Sequence, residues 1–93
     1  LLPNYPNPFN PETWIPFDLS KASDVTVRVY DTRGHEVRRV SLGHLDAGSY
    51  RGRSDAAHWD GRNALGEPVA SGVYIYELTA GDYRAVRRMQ VLK

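Results

Sequence analysis

The 93 residues contain no cysteine, and no apolar run comes near the roughly 18 residues a membrane helix needs. Without cysteine there can be no disulfide staple, thiolate metal site or thiol nucleophile. The compartment is not fixed by that absence, since exported proteins outside disulfide-forming pathways also lack the residue. An excess of one charge is missing too. Lys and Arg number 12 against 11 Asp and Glu, a net charge of +1. A nucleic-acid-binding domain is expected to be far more basic, with a pI above about 9. Sustained helical periodicity is also absent, because glycine or proline interrupts every helix-length window. The sequence begins at Leu1 rather than Met, with no basic start followed by an apolar stretch. The expectation is therefore a piece of a longer protein, with no visible signal peptide.

What the sequence does have is 41% hydrophobic and 25% charged residues, an ordinary globular balance. A chain of this length buries only about 60–65% of its unfolded surface, so its core must be thin. Two packed sheets suit that better than a fold around a cavity. Residues 1–11 hold Pro3, Pro6, Pro8 and Pro11, with Asn4, Asn7 and Asn10 close by. Proline fixes φ, removes a donor and pushes its predecessor to extended geometry. This segment reads as an extended lead-in, docked on the domain through Tyr5 and Phe9, and residues 12–93 read as the sandwich itself.

Short alternating runs separated by turn residues follow. In residues 13–19, Ile15, Phe17 and Leu19 share one face, and Pro16 marks an edge strand. Residues 24–30 place Val25, Val27 and Val29 inward. Asp31-Thr32-Arg33-Gly34 suits a type I turn. Residues 36–42 form a third run, in which Val37 is out of parity with Val40 and Leu42; a bulge is expected near Arg38 and Arg39. Ala47-Gly48 is a bend, residues 49–59 a further run, and residues 59–72 a long turn. The last strands, 73–80 and 83–92, flank Gly81-Asp82, which suits a type II′ turn. The reading is an all-β antiparallel sandwich of six or seven strands.

Groups that could carry chemistry each have an ordinary use. His35, His44 and His58 lack the paired spacing of a zinc site and read as surface or turn residues. The oxygen donors and glycines of residues 60–67 suggest calcium but fail the alternating donor pattern with glycine sixth. Asp60 and Asn63 more naturally bond nearby backbone N–H groups. No serine lies in a nucleophile elbow. A catalytic pocket of some 300 Å³ or more has little room in so thin a core, so no enzyme and no cofactor are expected. Arg28, Arg38, Arg39, Arg51, Arg53, Arg84, Arg87 and Arg88 read either as protection of exposed strands or as a basic patch for an anionic partner. Trp14 and Trp59 read as core residues, or as platforms for sugar. Tyr74 and Tyr76 alternate with Val73 and Ile75, so both faces of that strand are apolar.

Several of these segments together resemble a known family. They are Asn4-Tyr5-Pro6-Asn7-Pro8-Phe9-Asn10-Pro11, the run from Val27 to Gly34, Trp59-Asp60-Gly61-Arg62, Ser71-Gly72-Val73-Tyr74 and the ending from Arg88 to Lys93. Over essentially the whole chain they resemble the C-terminal sorting domains of type IX (Por) secretion and the related immunoglobulin-like domain of flagellar hook-capping proteins. The resemblance implies a seven-stranded immunoglobulin-like sandwich at the end of a larger exported protein, continuous with an N-terminal cargo. It implies recognition by outer-membrane secretion machinery, and in many members removal by a sortase-like protease, with the cargo ending secreted or at the cell surface by way of the periplasm. It also places recognition on Gly72, Val73, Tyr74 and Tyr76 and on the terminal strand, Arg87, Arg88, Met89, Val91, Leu92 and Lys93. The alternative reading is a carbohydrate-binding or structural protein–protein module appended to a secreted protein.

Overall fold

The computed structural model describes residues 1–92; the terminal Lys93 lies outside the described residues. Among them are eight strands and no helix: β1 Thr13–Ile15, β2 Phe17–Leu19, β3 Ser23–Tyr30, β4 Glu36–Leu45, β5 Gly48–Tyr50, β6 Ala57–Trp59, β7 Gly72–Ala80 and β8 Tyr83–Val91. One layer is an antiparallel sheet in the order β4-β3-β7-β8, and the other is built from the pairs β1-β6 and β2-β5. Alternation dictates the inward faces. Val25, Val27 and Val29 of β3, with Tyr76 and Leu78 of β7, meet Ile15, Phe17, Ala57 and Trp59 of the opposite layer in one buried cluster. Each of the buried valine, leucine, isoleucine and phenylalanine side chains contributes roughly 1.5–3 kcal/mol by leaving water.

The run 13–19 is not one edge strand. Thr13, Ile15, Phe17 and Leu19 all face the core, but the partner changes at Pro16, from β6 on β1 to β5 on β2. Pro16 has no N–H for either ladder, and its carbonyl instead accepts from Leu2 N at 3.1 Å. The run 49–59 divides in the same way into β5 and β6, around a turn closed by Ala56 N on Gly52 O at 2.7 Å. Its two ends pair with the two halves of the Pro16-broken segment.

The bulge expected near Arg38 and Arg39 is at the adjacent Val37, and a second lies at Leu42. Arg38 stands opposite Val29 and Glu36 opposite Tyr30; Gly43 stands opposite Val25 and Ser41 opposite Thr26. Two bulges restore the inward parity of Val40 twice over, and the strand runs on to Leu45. Both hairpin turns follow their sequence. Gly34 N donates to Asp31 O at 3.1 Å, while Asp31 Oδ1 accepts from Arg33 N and His35 N. Gly81 has φ +59° and Asp82 does not have positive φ, which is the type II′ pattern.

The lead-in crosses both layers. Tyr5 pairs with Trp14 of β1, and Phe9 pairs in parallel with Val91 of β8. Phe9 is buried edge-on against Trp59 at 5.5 Å. Asn4 N donates to the Tyr76 hydroxyl at 3.0 Å, and that hydroxyl donates to Leu2 O at 2.9 Å. Tyr76 is 0% exposed, so its hydroxyl has no access to water and depends on partners within the protein.

Candidate functional site

The β7–β8 hairpin brings the two predicted recognition segments into one register. Gly72 lies opposite Val91, Val73 opposite Gln90, Tyr74 opposite Met89, Ile75 opposite Arg88 and Tyr76 opposite Arg87. Lys93 falls outside the described residues. The pleat then divides the set. Tyr74, Tyr76, Met89 and Val91 point into the core and are out of reach of a partner. Val73, 43% exposed, and Ile75, Arg88 and Gln90 lie on the outer face, and Leu92, 55% exposed, follows the strand end. Arg87 stands on the core-facing side but at the rim. Burial pushes the Tyr76 phenol above its ordinary value, and the hydrogen bond from Asn4 N, then Arg87, pull it back.

The arginines do not form a continuous basic patch, because most of them are neutralised. Arg28 faces Glu36 at 3.5 Å and Glu77 at 4.0 Å, Arg39 faces Glu36 at 3.1 Å, and Arg84 closes on Glu77. Glu77 is a buried carboxylate on the outer face of the sheet, held under these guanidinium groups and the Tyr30 hydroxyl, which donates to it at 3.3 Å. Burial, reinforced by the Glu77 charge, raises the Tyr30 phenol. Arg38 reaches Asp60 at 3.2 Å, and Arg51 grips both carboxylate oxygens of Asp18. Arg53 lies over the Trp14 ring at 4.4 Å. Of the arginines singled out in the sequence, Arg53, Arg87 and Arg88 are left with no carboxylate partner among the described residues, and Arg53 is taken up by the Trp14 ring.

The two edges of the main sheet are finished differently. β4 is broken by its bulges, and its Val37 carbonyl accepts from Ala64 N at 3.1 Å. β8 is covered only at its end: Phe9 N donates to Gln90 O at 3.1 Å, Leu92 N to Phe9 O at 3.0 Å, and Gln90 N to Asn7 Oδ1 at 3.0 Å. Successive strand residues point their backbone groups to alternate sides. With Gln90 and Leu92 directed away from β7, Arg84, Val86 and Arg88 are directed away as well. A groove of about 700 Å³ follows this stretch, floored by Val73, Ile75 and Val86 and flanked by Arg88 and Pro8.

The other candidates resolve into structural uses. Asp60 Oδ1 accepts from Arg62 N and Arg38, while Asn63 Oδ1 accepts from Leu65 N and Glu67 N at 3.0 Å each. That loop is closed by its own hydrogen bonds, and no group of three potential metal ligands occurs among the described residues. Trp59 is core, 1% exposed, with its indole N–H donating to Arg62 O at 2.9 Å. Trp14 is not core: it lies half-buried on the outer face of the small layer, between Tyr5 and His58 at ring distances of 6.2 and 5.2 Å. The sequence reading did not pick out Glu77. A charged residue amid Tyr-Ile-Tyr and Leu-Thr was the available signal, but its burial depends on Arg28 and Arg84, which are distant or across a turn.

Comparison with known proteins places this architecture. The model of the FlgD Ig-like domain matches residues 15–83. The chain belongs to the FlgD Ig-like domain family. FlgD from Pseudomonas aeruginosa is 28% identical, with TM-score 0.63, covering 86% of this chain and 57% of that one. Two solved structures from Porphyromonas gingivalis share the fold of this FlgD Ig-like domain at lower identity. Dimeric latent PorU has TM-score 0.75 and 18% identity, covering 97% of this chain and 9% of its own. PorZ, described as an essential surface component of the type IX secretion system, has TM-score 0.62 and 21% identity, covering 98% of this chain and 11% of its own. The chain thus spans little more than half of FlgD and about a tenth of the other two. No curated protein matches it.

Proposed function

We propose that this FlgD Ig-like domain is a non-catalytic C-terminal sorting domain, which directs a larger exported protein through type IX secretion to the cell surface. The observation that carries the reading is the β7–β8 hairpin. It joins the two segments implied as recognition motifs into one sheet edge, and it concentrates there the unpaired charges of Arg87 and Arg88. The fold shared with PorU and PorZ supports the same reading. The partners are the outer-membrane secretion machinery and a sortase-like protease, and the cargo is N-terminal to Leu1. A label of this kind needs no cavity; it needs a rigid sandwich that presents one orientable edge.

The test is export of a cargo carrying this domain. Deleting residues 87–93 should leave the cargo in the periplasm. Because that deletion also removes Met89 and Val91 from the core, the double variant Arg87→Glu, Arg88→Glu serves as the folded counterpart, with circular dichroism as the control. Normal surface display of both variants would sink the reading.

A second reading, a structural protein–protein module, is favoured by the 28% identity with FlgD. Incorporation into an assembly that is indifferent to both variants would select it. The carbohydrate alternative is weakened by Arg53, which covers the Trp14 ring that a sugar would need.

A further inference from the structure

The open stretch of β8 has a definite recognition chemistry. Along residues 83–89, about 20 Å at ~3.3 Å per residue, the N–H and C=O groups of Arg84, Val86 and Arg88 face away from the sheet. An extended chain can satisfy all of them at once by adding a fifth strand. The side chains beside them are not neutral. Val86 is exposed in the groove that Val73 and Ile75 also line, and Arg88 follows on the same face with no ion pair among the described residues. A strand laid along this edge would place one side chain beside Val86 and, two residues on, a second on the same face beside Arg88. Opposite charges across a strand pair attract and like charges repel.

That pattern decides between occupants. If a second copy paired antiparallel about Val86, its Arg84 would stand against Arg88 and its Arg88 against Arg84. The buried acid on this face, Glu77, is already held by Arg28 and Arg84. Arg87, at the rim on the core side, adds another like charge to such a dimer. Charged residues that point inward at an edge are a device against indiscriminate pairing. The opposite edge uses the same device, with Arg38 opposite Val29, and adds bulges and a covering loop. On β8 only the charges are present, and the backbone is left open.

We infer that residues 83–89 of β8 form a strand-addition site for an extended protein segment with an apolar residue and, two positions on, a carboxylate, the apolar residue lying beside Val86 and the carboxylate pairing with Arg88 on the same face. This rests on the sorting reading only for the identity of the partner; the edge chemistry stands without it.

The probe is a capped peptide repeating Val-Thr-Glu-Thr, which sets valine and glutamate two positions apart on one face, added to the 93-residue chain and followed by amide exchange and chemical shifts. Exchange at Arg84, Val86 and Arg88 should slow by about tenfold or more at saturation, as pairing sequesters those amides. The companion peptide with lysine for glutamate should give no protection, and Arg88→Glu should reverse the preference. Val86→Pro is the decisive variant. The Val86 N–H points away from β7, so proline there spares the existing ladder but blocks a new one. Protection that disappears in Val86→Pro supports the proposal. Shifts that persist in it, or that ignore peptide charge, overturn the proposal, as does concentration-dependent protection without peptide, which would mark self-pairing. In export assays, Val86→Pro cargo displayed normally while the Arg87→Glu, Arg88→Glu cargo is retained would overturn strand addition and leave sorting standing.

Discussion

Tyr76 shows how much a single atom can hold here. Its hydroxyl accepts from Asn4 N and donates to Leu2 O, linking β7 to the lead-in inside the core. Tyr76→Phe keeps the ring but strands the buried Asn4 N–H, so a loss of about 1–3 kcal/mol is expected in urea unfolding. A change within error would mean that water replaces the hydroxyl. Two glycines make a matched pair at the same scale. Gly61 has φ +75°, and a Cβ there would lie 2.3 Å from the Pro11 carbonyl oxygen. Gly34 has φ +87° with open space around it. Gly34→Ala should cost the left-handed strain alone, about 1–2 kcal/mol. Gly61→Ala should cost clearly more, since the backbone of the lead-in must move. Equal costs would show that the lead-in yields freely. The glycines themselves were visible as turn residues, but the proximity of Pro11 was not, because nothing local relates residue 11 to residue 61.

At the scale of elements, the lead-in is as much a part of the sandwich as a strand. Phe9 fills the core against Trp59, and its backbone closes the end of β8. Phe9→Ala should destabilise by about 3–5 kcal/mol, a large share of the 5–15 kcal/mol typical of a domain. It should also speed amide exchange at Leu92, whose N–H donates to Phe9 O. Loss of stability without faster exchange at Leu92 would separate the packing role from the edge-closing one. The strands of the large sheet were legible as alternation, and so was each hairpin turn, since a turn is written in its own few residues. Pro16 was legible as an interruption, yet the sequence suggested an edge. Whether it ends a strand or hands it to a new partner depends on where residues 48–59 come to lie.

For the whole molecule, the opposed charges predict how stability responds to pH. The Asp18 carboxyl is held below its ordinary value chiefly by its hydrogen bonds from Arg51, and that of Asp31 by the His35 backbone N–H. A depressed carboxylate contributes above its unfolded value, near 3.8, and the contribution is lost as pH falls through the lower folded value. Both groups are exposed, so this acid limb should be shallow. Burial raises the phenols of Tyr30, Tyr74 and Tyr76 above 10.0. A raised group contributes fully below its unfolded value, and the contribution is lost as pH rises through the folded one. Urea midpoints should therefore change little between those limits and fall steeply above pH 10, less so in Tyr76→Phe. An alkaline limb unchanged in that variant would remove Tyr76 from the account.

The sequence by itself determined the class of fold: alternation assigns faces residue by residue, and glycine, proline and asparagine assign turns, because both are local properties of the chain. It also marked the two segments that meet in the β7–β8 hairpin, since a two-residue turn leaves them little choice of register. Only the tertiary structure decided which arginines are free. Charge is additive along a sequence, but neutralisation depends on which carboxylate a distant strand brings within a few ångströms. Glu77 takes Arg28 and Arg84, Glu36 takes Arg39, and Asp18 takes Arg51, leaving Arg87 and Arg88 without a carboxylate on the β8 edge.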